Sequence, residues 1–143
     1  MLMIVLIAVG LVGATVIIHA AGLSAVIRVA MSTRALDRSG FAPVTGMLIA
    51  LACWLILLNL VEISVWALFY LWQGCLPDAE SAFYFSGVTF TSVGYGDLVL
   101  AKPWRMLSPL EALAGLLMHG VSTGLFFAFI SKWVINWIRR NSA

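Results

Sequence analysis

Three long apolar segments constrain this chain more than any other feature of its sequence. They run from about Leu2 to Ile27, from Gly46 to Trp72 and from Leu107 to Ile138. Each reaches the ~20 residues that a helix needs to cross a bilayer. A shorter, interrupted piece, residues 77–97, lies between the second and third segments. The sequence therefore predicts an all-α membrane protein with three transmembrane helices and a re-entrant loop before the third.

The composition supports this class. The 143 residues are 63% hydrophobic and only 10% charged, with a mean hydropathy of +1.07, which is typical of chains that live in a bilayer. We expect the lipid bilayer as the surroundings, no nucleic-acid partner and no soluble ligand-binding domain. Nothing in the sequence suggests a nucleotide motif, a metal cluster or a catalytic constellation, so we expect no enzyme activity and no cofactor.

The basic residues predict the orientation of the helices. Six of them fall on one side of the predicted membrane: Arg28, Arg34, Arg38, Lys132, Arg139 and Arg140. Basic residues accumulate in the cytoplasm, so residues 29–44 are expected to form a cytoplasmic loop in the cell (inner or plasma) membrane. Because no basic residue precedes the first apolar run, residues 1–28 favour a retained helix with its N-terminus outside over a cleaved signal peptide.

The string SVGYGD, residues 92–97, demands a specific backbone. Successive carbonyls point toward one axis only where left- and right-handed conformations alternate. Gly94 and Gly96 suit the left-handed positions because glycine has no Cβ to clash. Val93 and Tyr95 are then expected to turn away from the axis and pack against a surrounding wall.

This string resembles the selectivity filter of the potassium-channel P-loop family, usually TVGYGD, with Ser92 in place of threonine. The resemblance covers about two thirds of the chain and implies a pore domain over residues 45–140. That domain would comprise an outer helix at 45–73, a pore helix at 78–91, the filter at 92–97 and an inner helix at 104–139. It also implies a homotetramer, in which four filters surround permeant K⁺. The residues that would coordinate K⁺ are Ser92, Val93, Gly94 and Tyr95, followed by Gly96.

The resemblance also marks residues that support the filter. Tyr84 and Phe85 match two aromatic residues of the pore helix, and Tyr84 can donate a hydrogen bond to Asp97. Phe85 cannot donate, so one brace on Tyr95 is expected to be missing. Val88 stands where some members carry a glutamate paired with the filter aspartate. Two outcomes stay open: compensation by packing, or a filter that inactivates or leaks.

Two acidic residues lie inside the predicted spans. A lone carboxylate in lipid costs several kcal/mol (~2.5–3.5 kcal/mol on insertion scales), so Glu62 and Glu111 should face protein and find partners. Both lie at the depth of the pore helix, which predicts that they support the filter from behind. The suggested partners are Ser86, Thr89 and Arg105.

The third segment, LEALAGLLMHGVSTGLFFAFI, resembles small bacterial channels with an LEA-x-x-G motif. Gly115 stands at the hinge position of that family. Helical spacing places His119, Thr123 and either Phe126 or Phe127 on one face. If this face lines a cavity, protonated His119 would oppose cation conduction. The alternatives are a neutral histidine bonded between helices, and phenylalanines that pack rather than close a gate.

Two further features keep two readings each from the sequence, and a third has a single expectation. The third helix starts either near Pro103 or at a capping box that begins at Ser108. Cys75 is either a free thiol or bonded to its copy in a neighbouring subunit. His19 is expected to form a hydrogen bond between helices.

These features predict a potassium-selective channel that conducts passively through a tetrameric pore. The alternative is a non-conducting or weakly selective channel-like subunit with an assembly or regulatory role. An intact GYG at residues 94–96 argues against a pure scaffold, which needs neither glycine. The stimulus that opens the channel is not encoded in any motif.

Overall fold

The computed structural model describes residues 2–32 and 41–141. Within these ranges the chain is helical and contains no strand. Half of the predicted cytoplasmic loop of residues 29–44, including Arg34 and Arg38, lies outside the described residues. The elements are α1 (Leu2–Ser32), α2 (Phe41–Trp72), α3 (Ala79–Phe90), a 3₁₀ turn (Trp104–Met106) and α4 (Leu107–Asn141).

Three of these helices, α1, α2 and α4, are long and apolar enough to cross a membrane. They expose large apolar side chains along their length, including Leu6, Ile17, Leu68, Trp72 and Ile135. In water so much exposed apolar surface would drive aggregation, whereas in a bilayer it meets lipid or another subunit. The three predicted spans are thereby confirmed as candidate transmembrane helices.

The short helix α3 has well-formed ends. Asp78 caps its first turn, because its Oδ1 accepts a hydrogen bond from the Ser81 amide at 2.7 Å. Glu80 adds a negative charge close to the positive end of the helix dipole. At the other end the hydroxyl of Thr91 donates to the carbonyl of Gly87 at 2.7 Å and closes the last turn. Twelve residues are too few to cross a bilayer, so α3 ends inside the fold.

The core lies where α3 packs against α2 and α4. Its fully buried members come from all three helices and include Trp66, Tyr70, Phe90 and Leu107. The ring of Tyr70 packs edge-on against that of Phe85 on α3, with centroids 5.3 Å apart. α3 is therefore held on both sides by the long helices.

The first helix is attached to the same core by polar contacts. The Trp66 indole donates to the Thr15 hydroxyl at 2.9 Å, and the Trp54 indole donates to the Gly22 carbonyl at 3.0 Å. α1 contacts both α2 and α4. It is a packed member of the fold and not a separate anchor.

The start of α4 follows neither sequence alternative completely. A 3₁₀ turn at Trp104–Met106 precedes the α-helix, which begins at Leu107. Glu111 does not close a capping box on Ser108, because its carboxylate is bonded to Tyr70 and Ser86 instead. The Glu111 side chain is therefore held by tertiary contacts and is not available to the capping box at Ser108.

Candidate functional site

The SVGYGD segment alternates in backbone handedness. Ser92, Gly94 and Gly96 have positive φ angles of 59°, 51° and 79°, whereas Val93 and Tyr95 between them do not. The left-handed glycines agree with the expectation from the sequence, while left-handed Ser92 was not anticipated, because a residue with a Cβ rarely adopts that conformation. Alternation of this kind turns successive carbonyls toward the same side of the strand.

All six residues of the segment are exposed in the single chain. Val93 keeps 52% and Tyr95 keeps 72% of its surface exposed. The expected packing of these two side chains against a wall is therefore not made within one chain. Both side chains are left open to the surroundings of the single chain.

Both ends of the segment are tied to α3. The amide of Ser92 donates to the Thr89 carbonyl at 2.9 Å, and the amide of Gly94 donates to the Val88 carbonyl at 3.0 Å. At the far end the Tyr84 hydroxyl donates to Asp97 Oδ2 at 2.7 Å, the contact that the sequence suggested. The segment therefore lies along α3 and starts at its C-terminal end.

The hydrogen bond between Tyr84 and Asp97 changes the pKa of both side chains. The hydrogen bond from Tyr84 is the main cause that holds the pKa of Asp97 below its usual value, against an opposing effect of desolvation. Backbone hydrogen bonds at Asp97 and Leu98 lower the pKa further. The hydrogen bond to Asp97 raises the pKa of Tyr84. The Asp97 side chain is thus ionised and oriented by α3.

Phe85 and Val88 take different roles from Tyr84. Phe85 is buried against Tyr70 on α2 and points into the core. Val88 contributes its backbone carbonyl to Gly94, a contact that depends on no particular side chain at position 88. Of the two aromatic residues of α3 that match the family's pair, Tyr84 contacts the segment and Phe85 packs behind it, as expected for a side chain that cannot donate a hydrogen bond.

Glu111, Tyr70 and Ser86 form a buried cluster behind the segment, the Glu111 cluster. Tyr70 donates to Glu111 Oε2 at 2.7 Å, and the Ser86 hydroxyl lies 2.5 Å from Glu111 Oε1. The same hydroxyl lies 2.9 Å from the Ile63 carbonyl. The cluster joins α2, α3 and α4, and it contains the Ser86 partner that the sequence suggested for Glu111. Tyr70 was missed, because it lies 41 residues from Glu111 and no local spacing connects the two.

Glu62 has a different partner from those suggested. Its Oε1 lies 2.8 Å from His19 Nδ1 on α1, and not against Ser86, Thr89 or Arg105. The other nitrogen of His19, Nε2, lies 3.2 Å from the hydroxyl of Ser122 on α4. His19, Glu62 and Ser122 are all buried and are here called the His19 cluster. The correction has a simple cause: α1 covers this face of α2, which the sequence could not show.

Gly115 allows α4 to touch the end of α3. A Cβ at this position would overlap the carbonyl oxygen of Phe90, the last residue of α3. His119, one turn along α4, has its Nδ1 2.6 Å from the Gly115 carbonyl and its ring 5.7 Å from that of Phe90. Because a carbonyl only accepts, His119 carries a proton on Nδ1. Gly115 and His119 therefore both pack against Phe90, which lies two residues before the SVGYGD segment begins.

The remaining residues of the predicted α4 face are divided. Thr123 is exposed and Phe127 keeps 69% of its surface exposed, whereas Phe126 packs beside Leu51 and Leu55 of α2. Phe126 is therefore a packing residue. Thr123 and Phe127 remain available to line a cavity between copies of α4.

The described residues offer no metal centre of protein ligands. Within residues 2–32 and 41–141, no three His, Cys, Asp or Glu side chains come together as such a site. Cys53 and Cys75 are free within the chain. The bond between copies of Cys75 stays a prediction about the assembled protein.

Comparison with known families gives one match. A family model described as "Ion channel" matches residues 56–132, more than half of the chain. The match includes α3, the SVGYGD segment and the Glu111 cluster, and it leaves α1 outside. Families of this kind are generally non-enzymatic. Neither a curated protein nor a solved structure matches the chain.

Proposed function

The chain belongs to the ion-channel family, and from this membership we propose that it is a potassium-selective channel built from four copies around one axis. The alternating backbone of residues 92–97 carries the proposal. A carbonyl row of this kind replaces the hydration shell of K⁺ as the ion passes. Ser92, Val93, Gly94 and Tyr95 supply the coordinating oxygens, and Gly96 completes the turn.

Four copies are proposed because one strand cannot surround an ion. The exposed side chains of Val93 and Tyr95 support this assembly, since neighbouring subunits would bury them. A closed ring presents the same surface of each copy to the next and leaves no unpaired edge. In this assembly α3 is the re-entrant pore helix, and its negative C-terminal end faces the ion path.

Three sets of contacts hold the filter in place. Tyr84 orients Asp97 at the outer end, and the Glu111 cluster anchors the middle of α3 to α2 and α4. Gly115 and His119 hold Phe90 at the inner end. Below the filter, Thr123 and Phe127 line the cavity, and four copies of Phe127 form a hydrophobic constriction.

The distribution of basic residues supports an orientation with the N-terminus outside and the C-terminus in the cytoplasm. The filter mouth, with Asp97, then faces the exterior of the cell membrane. Conduction is passive, because the gradient alone drives the ion through such a pore.

Potassium flux through the purified protein in liposomes tests this function. We expect flux that prefers K⁺ over Na⁺ and is blocked by Ba²⁺. Gly94→Ala should abolish it, because alanine rarely adopts the φ of 51° at this position. Gly46→Ala is the matched control, since this helical glycine has open space around it. Equal flux in both variants would contradict the assignment of the filter.

A weakly selective cation channel is the second candidate. It is favoured by Phe85, which packs on Tyr70 and leaves Tyr84 as the aromatic brace that the segment receives from α3. Flux that is blocked by Ba²⁺ but equal for K⁺ and Na⁺ would select this candidate. Absence of flux under all conditions would favour a non-conducting subunit.

A further inference from the structure

The His19 cluster contains none of the residues assigned to ion conduction. His19 is 2% exposed and Glu62 is 0% exposed, at the place where α1, α2 and α4 meet. Oε2 of Glu62 has no hydrogen-bond partner among the described residues. The carboxyl group of Glu62 and the imidazole of His19 are therefore in contact inside a membrane domain, and Oε2 of Glu62 accepts no hydrogen bond from the described residues.

The number of protons on this pair determines its charge. With one proton, on Nδ1 and donated along the 2.8 Å contact to an ionised Oε1, the pair carries one negative charge. A second proton, on Nε2, makes the pair neutral, and a third, on the carboxyl group, gives it one positive charge. Net charge is costly in a buried site surrounded by lipid, so proton binding here changes the energy of helix packing.

We propose that His19 and Glu62 form a proton-binding site through which α1 controls the position of α4. The ligand is a single proton. The titratable groups brought toward His19 by the helices packed on it are Glu62 of α2 and His119 of α4. The effect on flux rests on the proposed channel function, whereas the proton site itself does not.

Ser122 transmits the change. When His19 has its proton on Nδ1, Nε2 accepts from the Ser122 hydroxyl at 3.2 Å. When both nitrogens carry protons, Nε2 becomes a donor, and Ser122 must turn its own proton toward another acceptor, such as a carbonyl of its own helix. Proton uptake therefore reverses the hydrogen bond between α1 and α4.

The path from Ser122 to the filter is short. His119 lies one helical turn away on α4, and its ring packs on Phe90 at the end of α3. Ser92 begins the filter two residues later. A shift of α4 at Ser122 thus reaches the inner end of the filter through two packed rings.

Histidine NMR tests the proton site without using conduction. The chain contains two histidines, so ¹⁵N-histidine labelling of the full-length protein in nanodiscs gives two ring systems, and His119→Gln leaves one. We expect the His19 ring to change protonation between about pH 5 and pH 9. Glu62→Gln should alter its proton affinity about tenfold or more. A His19 ring that keeps one state throughout, or that titrates equally in Glu62→Gln, would overturn the proposal.

Flux in liposomes tests the coupling. Between about pH 5.5 and pH 8 we expect flux to change about fivefold or more, and by under about twofold in Glu62→Gln. Ser64→Ala, which removes a hydroxyl bonded within its own helix, is the control and should keep the full pH dependence. Persistence of the pH dependence in Glu62→Gln would overturn the role of the His19 cluster.

The two measurements separate the possible failures. If no variant conducts, the proposed channel function fails, and the NMR titration still decides whether the proton site exists. If His19 titrates while flux is the same at every pH, the control of α4 by this site is wrong. If both change together and both respond to Glu62→Gln, the proposal stands.

Discussion

The buried carboxylates of Glu62 and Glu111 differ in how many of their oxygens are hydrogen-bonded. Glu111 has both oxygens bonded, one to Tyr70 of α2 and one to Ser86 of α3. Glu62 has one oxygen bonded to His19 of α1, and its second oxygen has no described partner. The first arrangement is redundant, while the second depends on a single contact.

This difference follows the boundary of the family match. The Glu111 cluster lies entirely within residues 56–132, the region shared with the ion-channel family. The His19 cluster combines Glu62 and Ser122 from that region with a partner from α1, which lies outside it. A redundant network suits a part that must be rigid, and a singly held acid suits a part that can change state.

The largest expected effect is that of breaking the single contact of Glu62. His19→Leu should cost about 3–5 kcal/mol, because it leaves a buried carboxylate without its partner. The free energy of unfolding in mixed micelles measures this cost. His19→Leu combined with Glu62→Leu is the control and should recover most of the loss, since no buried charge remains. Equal losses in the single and double variants would remove the distinction between the clusters.

The next effect tests whether α3 is held rigidly. Gly115→Ala should cost about 1–3 kcal/mol, because the new methyl group meets the backbone carbonyl of Phe90, which is not free to move. Gly120→Ala is the matched control on the same helix, with open space around it. It should leave stability unchanged or raise it, since alanine favours helix. If Gly115→Ala behaves like the control, α3 is not held as firmly as the Glu111 cluster implies.

A smaller effect is expected from removing one of the two contacts of Glu111. Tyr70→Phe should cost about 1 kcal/mol, because Ser86 still bonds the carboxylate. Unfolding under the same conditions as for His19→Leu gives the direct comparison. A loss as large as that of His19→Leu would show that the Glu111 cluster is not redundant.

The smallest effect concerns the exposed end of the filter segment. Tyr84→Phe should raise the pKa of Asp97 toward its ordinary value, because the hydrogen bond from Tyr84 is the main reason that it is lowered. A carboxyl group whose pKa is lowered by folding stabilises the fold at pH values above its ordinary pKa. This contribution is lost as the pH falls through the pKa of the folded protein. Titration of the ¹³C-labelled carboxyl group measures the change. An unchanged pKa would mean that the backbone amides alone hold Asp97.

The sequence predicted the features that depend on neighbouring residues. Length and apolarity indicated the three spans, and the glycines of SVGYGD indicated two of its left-handed positions. The contact of Tyr84 with Asp97, which the resemblance to the potassium-channel filter implied, is also present. Segment length and glycine stereochemistry are read from neighbouring residues, so they require no knowledge of the packing.

The sequence failed where the partner came from a distant helix. Tyr70 and Glu111 are 41 residues apart, His19 and Glu62 are 43 apart, and His19 and Ser122 are 103 apart. The two acids looked equivalent, because each lay alone in an apolar segment. Helical spacing likewise left Phe126 and Phe127 as alternatives for one face. In the structure the partly buried Phe126 packs against the cluster that contains Leu51 and Leu55, and Phe127 is exposed.

By itself the sequence determined that this chain crosses a membrane and that residues 92–97 adopt an alternating backbone, because segment length and glycine stereochemistry are local properties. The tertiary structure decided which helix satisfies each buried acid. In an apolar span a carboxylate must be paired, and several faces of a helix are available for that purpose. The packing of α1 on α2 and α4, and of α3 between them, selects the face and so gives Glu62 and Glu111 their different partners.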